Sequence, residues 1–109
     1  MARRSIGKIT VAAGSDKQQE IEIKDFIRCS FPDHRLISIC NLEKKAGYII
    51  SVENPESSGR SNQKIWLSYE SFIGFIATAV IYANHAKIDI QAEAEKMKGR
   101  EINFEYAKR

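Results

Sequence analysis

The run Lys64-Ile65-Trp66-Leu67-Ser68-Tyr69-Glu70-Ser71-Phe72-Ile73-Gly74-Phe75-Ile76-Ala77-Thr78-Ala79-Val80-Ile81-Tyr82-Ala83 decides the fold class, because its hydrophobic period changes partway along. As far as Leu67 the residues alternate with the period of a β-strand: Ile65 and Leu67 share one face, Lys64 and Trp66 the other. From Phe72 the apolar residues fall at 72, 75, 76, 79, 80 and 83, a single stripe along an α-helix. Ser68 supplies an N-cap, and Glu70 places an acid in the first turn, where it suits the helix dipole. Ile73, Ala77, Ile81 and Tyr82 widen the stripe past half the circumference. A helix apolar on so many sides does not lie on a sheet with its back to water. Either the chain's own tail or another subunit must cover its second face. On the second alternative, Ile73, Ala77, Val80 and Ile81 are expected to form the interface of a homodimer or higher homo-oligomer.

Working back from this hinge, the chain reads as strands. Ile9 and Val11 share a face of Lys8-Ile9-Thr10-Val11, and Ile21 and Ile23 share a face of Glu20-Ile21-Glu22-Ile23-Lys24. Gly14-Ser15-Asp16 between them is turn chemistry, so a hairpin is expected. After a turn at Pro32-Asp33, the span 36–42 has apolar residues on both faces, as a covered central strand does. Glu43-Lys44-Lys45-Ala46-Gly47 turns the chain again, and Tyr48, Ile50 and Val52 line one face of the next strand. The polar stretch 54–62, with Pro55 and Gly59, reads as a loop. Beyond the long helix, residues 90–98 form a second short helix stopped by Gly99. Ile102, Phe104 and Tyr106 then alternate, either as a last strand or as a frayed end.

The expected architecture is therefore one α+β domain over residues 1–109: an antiparallel curved β-sheet of four to five strands in 1–67, one long amphipathic helix in 68–85, and a helical or extended tail in 86–109. A length of 109 residues and 43% hydrophobic composition suit a single domain with one core. The basic start is not followed by an apolar run, so no signal peptide is expected. The apolar run 72–83 is short of the ~20 residues that span a bilayer. A cytoplasmic protein with reduced thiols at Cys29 and Cys40 is the expectation.

The residues offer little to catalysis. The two histidines, His34 and His85, fall in a turn and near a helix end, and neither stands beside a nucleophile. No cysteine–histidine spacing suits a metal, and no glycine-rich loop suits a phosphate. Neither enzymatic activity nor any cofactor or metal is expected. The net charge of +3, with 14 acids among 17 bases, leans weakly towards an anionic partner. The candidate for contact is the sheet surface. With Ile65 and Leu67 turned to the helix, Trp66 and Lys64 point outward, a flat ring for a base and a cation for a phosphate. Arg60 flanks the polar loop, Tyr48 is a second ring, and Lys8 joins Arg3 and Arg4 in a basic arm. The competing role for Trp66 is burial against the tail or a second subunit.

On these residues, the segment from Gly47 to Ala83 resembles the single-stranded-DNA-binding group that includes transcriptional positive cofactor four, whose layout the Pur and Whirly proteins share. The likeness lies in the strand and polar loop over 48–62, followed by the hinge Lys64-Ile65-Trp66-Leu67-Ser68-Tyr69-Glu70-Ser71-Phe72. It implies a dimer built through helices, nucleic acid lying across the sheet, and a role in transcription regulation. The leading expectation is a non-enzymatic protein that binds single-stranded DNA, or less readily RNA, without a membrane. The alternative is a small protein-interaction module, a regulator or inhibitor of the kind a phage or mobile element encodes.

Overall fold

The computed structural model describes residues 5–12, 18–54, 62–99 and 102–109. The expected turn at 14–16, most of the polar loop, Arg60, Arg3 and Arg4 lie outside the described residues. The fold is α+β, with strands β1 (Lys8–Ala12), β2 (Gln18–Ser30), β3 (Leu36–Leu42), β4 (Tyr48–Glu53), β5 (Gln63–Leu67) and β6 (Asn103–Lys108), and helices α1 (Tyr69–Ala86) and α2 (Ile90–Lys98). All strand pairs are antiparallel. The curved antiparallel sheet is as the alternation requires. It has six strands rather than four to five, because Asn103–Lys108 returns to it. Strand β5 is followed by the long helix α1 and, over the residues 90–98 expected to form a second short helix, by α2.

The long strand β2 organises the sheet. Its first half pairs with β1, from Ala12↔Gln18 to Lys8↔Glu22. Its second half lies between β3 and β6, since both pair with residues 25–30. That half of the sheet therefore runs β6-β2-β3-β4-β5. Between the two halves the register against β3 shifts from Ile23↔Leu42 to Asp25↔Asn41, leaving Lys24 as an extra residue. Such a bulge bends the strand and reverses the parity of every later side chain. Ile23 and Phe26, three apart, thus join one core with Leu42 and Ile49. Ile6, Ile9, Ile21, Cys40, Ala46 and Ala107 pack against it, and Leu42, 1% exposed, is its most enclosed member.

The registers sort the remaining strand residues onto two faces. One face carries Ala107, Phe26, Cys40, Ile49 and Trp66 in a row, and below it Glu105, Arg28, Ser38, Ser51 and Lys64. We call this the Trp66 face. The opposite, Tyr48 face carries Tyr106, Ile27, Ile39, Ile50 and Ile65 across its middle, with Tyr48 and Leu67 in the row above.

Helix α1 starts one residue after β5. Ser68 is its N-cap, accepting from the Ser71 N–H at 3.2 Å. Phe72, buried, stacks on Tyr48 with ring centroids 3.8 Å apart, and Tyr69 lies 5.9 Å from the same ring. Beyond this first turn the helix is exposed on every side as far as Tyr82. The tail does not cover it. The chain turns at Lys87, in left-handed conformation (φ 59°), and Asp89 caps α2 by accepting from the Ala92 N–H. Ala83 is buried at this turn.

Candidate nucleic-acid interface

Contrary to the expectation that Trp66 points away from the core, it lies with Lys64 on the sheet face that carries the core residues Phe26 and Ile49, beside Ile49 of β4. On the edge strand it is still 51% exposed, while Ile65 on the other face is 54% exposed. Its ring is nonetheless held in place. The indole Nε1–H donates to the Ala46 carbonyl at 2.9 Å. That carbonyl is presented by the β3–β4 turn, where Glu43–Lys45 form a single 3₁₀ turn with Lys44 and Lys45 at positive φ. Gly47, at φ +120°, completes the arrangement. A Cβ there would stand 2.7 Å from the indole nitrogen and 2.5 Å from the Leu67 carbonyl oxygen, so only glycine lets the ring lie against the turn. Half of the indole surface remains open to solvent in a fixed orientation.

The polar row beside Trp66 completes the site. Lys64 faces Ser51, which faces Ser38, which faces Arg28 on β2. The two serines are buried, at 7% and 9%, and their small side chains form a low floor between two exposed cations. Three strand spacings separate Lys64 from Arg28, about 14 Å. The Arg28 guanidinium sits 5.1 Å above the Phe26 ring and 3.6 Å from a Glu105 carboxylate oxygen. Cys40, in the same face, has its thiol pushed above its ordinary range by burial, against the pull of the nearby charges of Arg28 and Lys64.

The structure thus brings together Trp66 and Lys64 and adds Arg28. It does not bring the other expected residues to them. Tyr48 is on the opposite face, stacked on Phe72, and burial raises its hydroxyl above the ordinary phenol range. The Lys8 ammonium lies on the β1–β2 ribbon between the carboxylates of Glu20 (3.9 Å) and Glu22 (3.7 Å). Ile73, Ala77, Val80 and Ile81 are all exposed along α1. Sequence reasoning missed Arg28 because the alternation it read from Ile21 and Ile23 was followed only as far as Lys24. The available signal was Phe26-Ile27-Arg28-Cys29, whose alternation continues the strand once a bulge is allowed at Lys24.

Cys29 and Cys40 are free thiols, and among the described residues no cluster of His, Cys, Asp or Glu could hold a metal ion. Among the same residues, no helix is long and apolar enough to cross a membrane. No family model, curated protein or solved structure matches the chain.

Proposed function

We propose that the chain is a non-enzymatic binder of single-stranded nucleic acid, DNA in preference to RNA, and that the strand lies across the Trp66 face. The observation that carries this reading is the half-exposed indole of Trp66, fixed by the Ala46 carbonyl and Gly47, in line with Lys64 and Arg28 over a serine floor. A base needs a flat apolar surface that is already oriented, and each phosphate needs a cation within reach. A ring that is pinned before binding loses little entropy on contact. A strand running across the β-strands meets Trp66 and Lys64 at one edge and Arg28 three strands away. The likeness of residues 47–83 to the positive-cofactor-four group leads to the same reading.

The test is fluorescence anisotropy of labelled oligonucleotides, single-stranded and duplex, at two salt concentrations. Trp66 emission is followed in parallel, and it reports this site alone because the chain has one tryptophan. Salt-dependent binding to single strands with quenching of Trp66 is expected. Stacking contributes ~1–3 kcal/mol per base, so Trp66→Ala weakens binding by roughly 5- to 150-fold. Arg28→Ala and Lys64→Ala each reduce the salt slope by about one unit. Absence of binding to any oligonucleotide at low salt would sink the proposal.

A further inference from the structure

We propose that two copies of this chain assemble reciprocally, the helix α1 of each seating on the Tyr48 face of the other. The surface and the mode differ from the helix-to-helix contact that the apolar stripe alone suggests. The inference uses the face opposite Trp66 and does not depend on nucleic-acid binding.

The argument starts from the connection between β5 and β6. These strands run parallel at opposite edges of the five-strand half of the sheet, because each of the four pairings between them is antiparallel. Strand β5 ends in the row of Tyr48 and Asp25, whereas β6 begins at the other end, opposite Ser30. The helices therefore carry the chain from one edge and end of the sheet to the other. In an ordinary α+β layer such a crossover lies on the sheet and buries its face. Here it does not. Ile65, Val52, Phe104 and Tyr106 remain exposed on the Tyr48 face, and Ile73, Phe75, Ile76, Val80, Ile81 and Tyr82 remain exposed on α1.

The helix is not free to close on its own sheet. Only Ser68 separates β5 from α1, and that residue is the cap. The stacking of Phe72 on Tyr48 sets the direction in which the helix departs. The helix is about 27 Å long (18 residues), and its side chains from Ile73 to Tyr82 are exposed.

Area measures the deficit. The accessible surface is 8630 Å². A folded monomer of 12.4 kDa is expected to expose about 6,100 Å². The radius of gyration is 15.7 Å, against about 13 Å for a compact chain of this length. The excess is about 2,500 Å² per protomer, or about 5,000 Å² for a pair, so burying half of it would already reach the ~2,000–5,000 Å² that obligate homodimers bury in total.

A second copy is the occupant that this chemistry fits. The exposed rows of the Tyr48 face, from Tyr106 to Ile65 and from Phe104 to Gln63, carry no charge, and neither does α1 between Phe72 and Asn84. Each chain thus presents a bare apolar sheet and a bare apolar helix of matching character. A two-fold axis satisfies both at once, because helix on sheet in one direction generates helix on sheet in the other.

The test begins with sedimentation of the full chain at tens of micromolar, in the absence of nucleic acid. A mass of twice 12.4 kDa is expected. The mode is read by cross-linking. Cys29 already lies on the Tyr48 face, opposite Ile37 and Phe104. In a Cys40→Ser background, Ile73→Cys, Ile76→Cys and Val80→Cys are introduced one at a time and mildly oxidised. A covalent dimer that forms in at least one variant, and is lost when Cys29→Ser is added, supports the reciprocal mode. Covalent dimers that survive Cys29→Ser mean helix against helix and overturn it. A Cys29 link within a single chain means that the helix closes on its own sheet, which also overturns it. A mass of 12.4 kDa at every concentration overturns it too and assigns the bare face to a different protein.

Discussion

Replacing Gly47 by alanine should cost far more than one methyl group ordinarily does, and it should be seen directly at Trp66. The added Cβ would stand 2.5 Å from the Leu67 carbonyl oxygen, a backbone atom that no side-chain rotation can move away. It would also stand 2.7 Å from the indole nitrogen. The backbone there is at φ +120°, which an alanine adopts only under strain of about 1–3 kcal/mol. Displacing the indole breaks its hydrogen bond to Ala46, about 1 kcal/mol more. The expected loss is about 2–4 kcal/mol, a large share of the ~5–15 kcal/mol that holds a domain folded. At a slope near 1.5 kcal/mol/M, the urea midpoint falls by roughly 2 M. Emission from the single tryptophan shifts to the red as the ring leaves the turn. Trp66→Phe is the control: it keeps a ring and a relaxed glycine but loses the N–H, and should cost only about 1 kcal/mol. If Gly47→Ala unfolds within about 0.5 kcal/mol of the parent with unchanged emission, the indole is not seated on the turn and the oriented platform falls with it.

Three further outcomes are expected. Phe72→Ala removes the buried ring that ties α1 to Tyr48 and should destabilise by about 3–5 kcal/mol in urea unfolding. Lys87→Gly relieves a left-handed residue at the end of α1 and should stabilise by about 0.5–1 kcal/mol, read as a rise in Tm. Burial raises the folded-state pKa of both Cys40 and Tyr48, so the unfolded chain loses these protons first. Their contribution is complete below the ordinary thiol and phenol ranges and is lost as pH rises through the raised values. Unfolding scans across the alkaline range should therefore show falling stability, and Cys40→Ser with Tyr48→Phe should flatten the decline.

Much of the local structure follows from residue order alone. The alternation in β4 and β5, the change of period after Leu67, and the caps at Ser68 and Gly99 depend on neighbours within a few positions. Because alternation is a local property, Lys64 and Trp66 could be placed on one face before any strand was paired. The same local logic failed in β2. A single extra residue at Lys24 reversed the parity, so that Arg28 joined the row of Lys64 while the pattern read from Ile21 and Ile23 ended at the bulge.

What only the tertiary structure decided is pairing and exposure. Tyr48 and Trp66 are both aromatic residues on neighbouring strands, yet the register Tyr48↔Leu67 sets them on opposite faces, and a one-residue slip would have reversed that. The seating of Trp66 depends on a carbonyl 20 residues away, delivered by a turn whose geometry rests on Gly47. The bare Tyr48 face depends on where β6 docks and how α1 leaves β5, contacts between segments far apart in the chain. The sequence by itself therefore determined which segments are strands and helices and which of their faces are apolar. Which apolar face is buried, and which is left for a partner, was settled by non-local pairing energies that no window of neighbouring residues contains.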